Sequence, residues 1–258
     1  MKDIEKCLKL ATETKDGKNI CSILRNDVKI ADDIPEDDIP KYIEKLKEEA
    51  RKVGKTLDEH LDELVEAKNN IFNRISEGRF TKKILRSNID LVDEAGNTLF
   101  RVAKQDYEKF ISFAKKTPKE RKNIIEEVNL KLKSSNKKYK PENAKLKGYD
   151  VPKSKVGTSP DFSTTPQHLY NNKSVVKIKI KGGRALDFTE SFKAMGITDK
   201  KAMKAILEDY TWHHLDDLTA ELECTMQLVL REAHEATYTH FGSAGQAQKS
   251  IPLKKYLT

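Results

Sequence analysis

Apolar positions along the chain fall into two rhythms. From Asp37 onward Ile39, Tyr42, Ile43, Leu46, Ala50 and Val53 recur at spacings of three and four and stop at Gly54, which predicts a helix. Thr56 resembles an N-cap for a second helix carrying Leu57, Leu61, Leu64, Ala67 and Ile71, with His60 on its surface. The rhythm then shortens. Segments 88–92 and 98–100, joined through Glu94-Ala95-Gly96-Asn97, predict a β-hairpin in which Gly96 supplies a positive φ. A helix over 104–115 follows, with Tyr107, Phe110, Ile111 and Phe113 available for packing. At 175–180 alternation returns: period 2 puts Lys177 and Lys179 on one face of a strand and Val176, Ile178 and Ile180 on the other, before Gly182-Gly183. Helices are predicted over 189–195, closed by Gly196, and over 199–207. Residues 1–30 alternate charged and apolar side chains and carry no motif.

Two stretches interrupt the pattern. Residues 115–147 hold twelve Lys and Arg against four acidic residues, broken by Ser134-Ser135-Asn136 and Pro141. They read either as an arm that contacts DNA or as a solvated helix and hinge. Residues 148–166 are rich in Gly, Pro, Ser and Thr and mark a loop or boundary. The chain therefore divides into a helical region at 1–80, a hairpin, helix and basic linker at 81–150, and a third domain at 151–258. The fold class is α+β. The helices before residue 80 are compatible with a small bundle, a delivery adaptor or a partner-binding region.

Charge sharpens the picture. The 258 residues carry 49 Lys and Arg against 41 Asp and Glu, a net charge of +8, which favours an anionic partner such as nucleic acid. Cys7, Cys21 and Cys224 show no CxxC spacing, so neither a disulfide framework nor a zinc ribbon is expected. No apolar run approaches the roughly 20 residues of a membrane span, and Met1 to Lys6 show no apolar signal-peptide core. Nucleotide-hydrolase, esterase and Rossmann readings find no support, because GxxxxGK[ST], GxSxG and GxGxxG are all missing.

The chemistry concentrates late in the chain. Four of six histidines, His213, His214, His234 and His240, fall in one short window, while His60 and His168 stand alone. Imidazole is a common transition-metal ligand and a general base near neutral pH, so this window suggests a metal-dependent active site. Tyr210-Thr211-Trp212-His213-His214, then Met226-Gln227-Leu228-Val229, then His234 and His240-Phe241-Gly242 resemble the WHH branch of the HNH/endonuclease VII nucleases. The lead-in agrees: Ser159-Pro160-Asp161-Phe162-Ser163, a basic strand, Arg184, Asp187-Phe188 and Gly196. The resemblance covers roughly 159–248.

That resemblance implies a ββα-metal (His-Me finger) nuclease domain, with strands at about 210–214 and 225–230 and a helix opening near Arg231. Adjacent strand residues point to opposite faces, which suits a division of labour between the histidine pair. By resemblance His213 is a metal ligand, His214 is the general base, and His234 closes onto the metal. His240 lies six residues beyond His234, about 120° round an unbroken helix. It becomes a ligand if the helix frays at Thr237-Tyr238-Thr239, and otherwise touches phosphate. Arg184 and Arg231 are candidate phosphate-binding groups. Trp212 is expected as core support behind the histidines. Asp209, Asp216 and Asp217 are acids that could orient an imidazole, with a solvated loop as the plainer reading. The central Asn of the HNH name is absent, and Gln227 or Thr225 stands in its place.

The implied cofactor is one divalent ion: imidazoles suit zinc or nickel, while Mg and Mn stay open. The expected activity is endonucleolytic hydrolysis of DNA. The resemblance adds the setting of a bacterial polymorphic toxin: a secreted effector without a cleavable signal peptide, delivered into the cytoplasm of a target bacterium and held in check by a cognate immunity protein, an acidic one suiting the basic chain. Two rivals stand beside it: an RNase of the same chemistry, and a non-catalytic metal-stabilised nucleic-acid-binding module that uses Cys224 with the histidines.

Overall fold

The computed structural model describes residues 39–57, 59–60, 70–172 and 174–257. It divides into two units, 1–74 and 75–258. Most of the second predicted helix and all of residues 1–30 lie outside the described residues.

In the first unit helix α1 (Ile39–Lys52) buries Leu46 and Ala50, in step with the predicted rhythm. Thr56 begins the next turn in a reciprocal cap: its Oγ1 accepts from the Glu59 amide at 3.3 Å, and Glu59 Oε2 accepts from the Thr56 amide at 2.9 Å. His60 departs from the expected surface position, its side chain being only 14% exposed with Nε2 3.7 Å from Glu49. Helix α2 (Ile71–Ser76) follows.

The expected hairpin forms between strands β2 (Asn88–Val92) and β3 (Thr98–Ala103), but a preceding strand β1 (Thr81–Ile84) pairs with β2 and makes a three-stranded antiparallel sheet. All four β1 residues are exposed, so no alternation betrays the strand. Helix α3 (Tyr107–Ala114) packs onto this sheet, with Phe110 stacked on Phe100 at 4.1 Å between ring centroids.

The basic stretch contains helix α4 (Pro118–Lys133), opened by a capping box between Thr117 and Glu120 with Pro118 at the first helical position. It is anchored on one side. Arg121 is buried, donating to the carbonyls of Ala220, Ala114 and Lys116 and to Glu221, and Ile125 and Leu132 are buried with it. The short helix α5 (Pro141–Lys145) follows.

The second sheet carries the histidines. Its order is β4 (Val175–Lys179), β6 (Glu223–Leu230), β5 (Tyr210–His214), all antiparallel. Helix α6 (Arg184–Ala194) begins five residues before the predicted position, because Gly183 is itself its N-cap. Helix α7 (Lys200–Asp209) starts from an Asp199 cap and leads into β5, and helix α8 (Arg231–Ala236) follows β6 without a loop. Helix α9 (Ser243–Ser250) shows no apolar rhythm, since it buries Ser243, Ala244, Gln246, Ala247 and Ser250. Gln246 is its anchor: Nε2 donates to Asn129 Oδ1 on α4 and to the Asp216 carbonyl, while Oε1 accepts from the Leu218 amide.

The two sheets meet at the loop after β4. The Arg101 amide donates to the Lys181 carbonyl at 2.8 Å, and Gly182, with φ +79°, lies so close that a Cβ there would sit 2.1 Å from the Arg101 carbonyl oxygen. Segments 81–150 and 151–258 therefore pack into one unit. Among the described residues no helix is long and apolar enough to cross a membrane.

Candidate active site

Strand parity organises the site. On β5, Trp212 and His214 face α6, and Trp212 is buried with its indole edge-on to Phe192 of that helix at 5.4 Å. His213 points to the opposite face, where Gln227 stands across the ladder from it and Phe162 lies edge-on to its ring at 5.5 Å. That face also holds the apolar cluster of Val151, Phe162, Leu169, Val229 and Ala233, which seats α8 on the sheet.

Helix α8 presents His234 to this face and ends at Ala236, with Thr237 as its C-cap. The 120° offset expected for an unbroken helix therefore does not arise. The chain turns back, and His240 Nδ1 donates to the Thr237 carbonyl at 3.2 Å. Ring centroids are 5.2 Å apart for His213 and His234, 4.9 Å for His213 and His240, and 5.1 Å for His234 and His240. One ring nitrogen from each lies within 4.8 Å of the others.

Hydrogen bonding sets the tautomers. His213 Nε2 lies 3.1 Å from the Pro160 carbonyl and 3.0 Å from Ser159 Oγ. A carbonyl only accepts, so Nε2 carries the proton and Nδ1 keeps its lone pair. That Nδ1 is buried and has no hydrogen-bond partner. His240, donating through Nδ1, keeps its lone pair on Nε2. Burial and the neighbouring rings hold His213 well below the ordinary imidazole value of 6.5. Burial first, then the charges of His240 and Arg184, brings His234 down to about 3; burial, partly offset by the Thr237 carbonyl, brings His240 down to about 4. All three rings are thus neutral at physiological pH, with lone pairs available.

An unpaired acceptor buried among neutral imidazoles costs free energy unless something electropositive meets it. The three nitrogens could hold one transition-metal ion, with the Pro160 carbonyl as the outer hydrogen bond that orients a ligating histidine. The fit follows from the orphaned His213 Nδ1 and the neutral all-imidazole donor set.

His214 has a different partner. Its Nε2 lies 2.9 Å from Oδ2 of Asp187, a fully buried carboxylate in the first turn of α6 that also accepts from the Tyr256 hydroxyl at 2.7 Å. Nδ1 of His214 takes no partner among the described residues.

The remaining sequence candidates distribute unevenly. Gln227 is buried, donating to Asp161 Oδ1 at 2.7 Å and accepting from the Phe162 amide at 3.0 Å. It thereby holds the 159–163 loop, whose Ser159 and Pro160 hold His213. Arg184 is exposed at the start of α6, and its charge reaches His234 and His240. Arg231 requires a correction: its guanidinium donates to the carbonyls of Leu207, Glu208 (3.4 Å) and Tyr210 (3.1 Å), satisfying the C-terminal end of α7. Asp209 does too. It is exposed at the end of α7, before the strand begins, and meets no imidazole. Asp216 is buried rather than solvated and ties down Ser154 and Thr158, while Asp217 binds Thr225. Sequence reasoning missed the roles of Ser159, Pro160, Asp187 and Tyr256, along with Tyr238, whose exposed ring stacks beside His240 at 5.6 Å.

A β-hairpin followed directly by a helix, with histidines of both converging on one point, is a ββα unit whose imidazoles could hold a metal ion. Residues 202–250 match the WHH family model, described as a nuclease of the HNH/ENDO VII superfamily with conserved WHH, so this segment is a nuclease domain, a hydrolase acting on nucleic acid. No curated protein and no solved structure matches the chain.

Proposed function

We propose that the chain is a metal-dependent endonuclease that hydrolyses the phosphodiester bonds of DNA, with one divalent ion on His213, His234 and His240. The observation that carries the reading is the triad of His213, His234 and His240 with a buried, unpartnered Nδ1 on His213. A bound ion supplies Lewis-acid polarisation of the scissile phosphate and stabilises the departing oxygen. His214 is the general base, accepting a proton from water on Nδ1. Arg184 meets the phosphate backbone from the exposed start of α6. Trp212 and Gln227 keep the two faces of β5 in place.

The biological setting we infer is a secreted interbacterial effector acting in the cytoplasm of a target cell, with an acidic immunity protein as partner. It rests on the family resemblance and on the net charge of +8.

Incubation of supercoiled plasmid, and in parallel of RNA, with the purified chain tests the activity across zinc, nickel, magnesium and manganese, with EDTA as a control. Metal-dependent nicking that falls by roughly 10²–10⁴ in His214→Ala, with unchanged circular dichroism, is the expected result. Cleavage of RNA alone replaces the substrate. Silence on both overturns the nuclease mechanism in favour of a binding module. For the setting, co-expression with candidate acidic partners must restore growth to cells that express the chain.

A further inference from the structure

We propose that Asp187, braced by Tyr256, is the positioning residue of His214, fixing its imidazole in the Nε2–H tautomer so that Nδ1 is the basic nitrogen. The inference rests on the reading of His214 as the base. Neither residue lies within 202–250, the stretch that the family model matches, and the resemblance that includes Asp187 gave it no role.

The hydrogen-bond arithmetic is tight. The Asp187 carboxylate receives three donors: the Lys181 amide on Oδ1 at 2.6 Å, and the Tyr256 hydroxyl (2.7 Å) and His214 Nε2 (2.9 Å) on Oδ2. A carboxylate only accepts, so Nε2 must carry the proton. Asp187 is fully buried. Its charge is supported by its place in the first turn of α6, where the helix dipole is positive. Burial and the Asp187 charge push the Tyr256 phenol well above its ordinary value, so it remains a donor. The tail is tied in place beside it, since the Arg184 amide donates to the Leu257 carbonyl at 2.9 Å and Gly183 bridges to Leu257.

The competing account makes Asp187 a staple joining the tail, the end of β4 and β5, with no bearing on the imidazole. Asp187→Asn separates the two. The Lys181 amide sits on Oδ1 and demands an oxygen there, so the new amide nitrogen is forced to the Oδ2 position. From there it donates to His214 Nε2 and to the Tyr256 oxygen. Each contact keeps a hydrogen bond, with its direction reversed at His214 and at Tyr256, and the volume is unchanged, yet the imidazole is driven to the Nδ1–H form, with the proton on the atom that has to accept one.

Long-range 1H–15N NMR on the metal-free full chain, with His214→Ala used for assignment, reads the tautomer directly. Wild type is expected as Nε2–H and Asp187→Asn as Nδ1–H. Plasmid cleavage should then show kcat down by roughly a hundredfold or more in Asp187→Asn, with KM, zinc affinity and circular dichroism unchanged. Tyr256→Phe should lower kcat by about tenfold without altering the fold. Nδ1–H in wild type, or an Asp187→Asn enzyme with full kcat, overturns the proposal. So does a loss that appears only as lost zinc binding or lost fold with Tyr256→Phe fully active. If wild type cleaves neither nucleic acid, the base reading falls, while the wild-type spectrum still decides whether Asp187 sets the tautomer.

Discussion

Gln227 shows how much of this site is held by single uncharged groups. Its amide is the partner of both Asp161 Oδ1 and the Phe162 amide, in a place where water does not compete. Gln227→Ala strands both partners. We expect urea denaturation to show about 1–3 kcal/mol of lost stability and zinc affinity to fall as well, because the loosened loop carries Pro160. A variant that keeps full metal affinity would show that the loop does not orient His213. Asp216 acts with the opposite sign to most carboxylates. Burial pushes its carboxyl above the ordinary 3.8, outweighing the lowering by Ser154 and Thr158, and its Oδ1 is buried without a partner. The folded chain therefore holds this proton more tightly than the unfolded one does. The stability it contributes is full below pH 3.8 and is lost as pH rises through the raised value. Asp216→Asn cannot ionise, so its stability relative to wild type should climb with pH across that window, and a pH-independent difference in urea midpoints would refute the argument. The four clustered histidines were legible in the sequence because imidazole is scarce here and chemically specific. The role of Asp187 was not: it stood out only as part of the family lead-in, being one of 41 acids and lying 27 residues before His214 on a separate helix. Asp209 and Arg231 were misassigned because nearness in sequence stood in for nearness in space.

Elements were legible where burial followed a period. Helix α1, the β2–β3 hairpin and α7 fall where apolar spacing and turn residues place them, and the β5–β6 pair falls where the family resemblance implies it. Strand β1 has no buried face and α9 buries Ser, Ala and Gln, so a reading based on apolar side chains passes over both. The junction before α9 is the tightest in the site. A Cβ on Gly242 would lie 1.9 Å from the His214 carbonyl oxygen, and the neighbouring Ser243 amide donates to the Leu215 carbonyl at 2.8 Å. The obstacle is backbone and cannot rotate away. Gly242→Ala must separate α9 from β5, and we expect a lowered thermal midpoint together with loss of cleavage. Wild-type activity in this variant would mean that α9 and β5 can part without disturbing His214.

At the scale of the molecule, charge is arranged as well as abundant. On α4, Lys122 and Lys131 pair with Glu126 and Glu127. Further along, Lys137, Lys140, Lys145, Lys147, Lys153 and Lys155 are exposed, and no ion pair neutralises them among the described residues. This segment leads directly into the loop that holds His213, as the Tyr139 amide bonded to the Thr158 carbonyl shows. A nucleic-acid backbone is the partner such lysines suit. Binding of labelled DNA to the metal-free chain, followed by anisotropy, should weaken steeply with salt. Replacing Lys145, Lys147, Lys153 and Lys155 by Gln should flatten the log–log slope by about 0.9 for each phosphate no longer neutralised, and an unaltered slope would place the DNA elsewhere.

The tail that reaches Asp187 also has a consequence in time. Tyr256 is made 69 residues after the carboxylate it bonds, and Lys254, whose amide caps Asp106, 148 residues after its partner. At about 5–20 residues per second, ribosomal synthesis separates Asp187 from Tyr256 by roughly 3–14 s. Well within that interval the nascent chain gains His214, and before its end it contains His240 as well. The three histidines that could hold a metal are therefore all present before Tyr256 can brace Asp187. The contacts around Asp187 are complete only once residue 256 has been made.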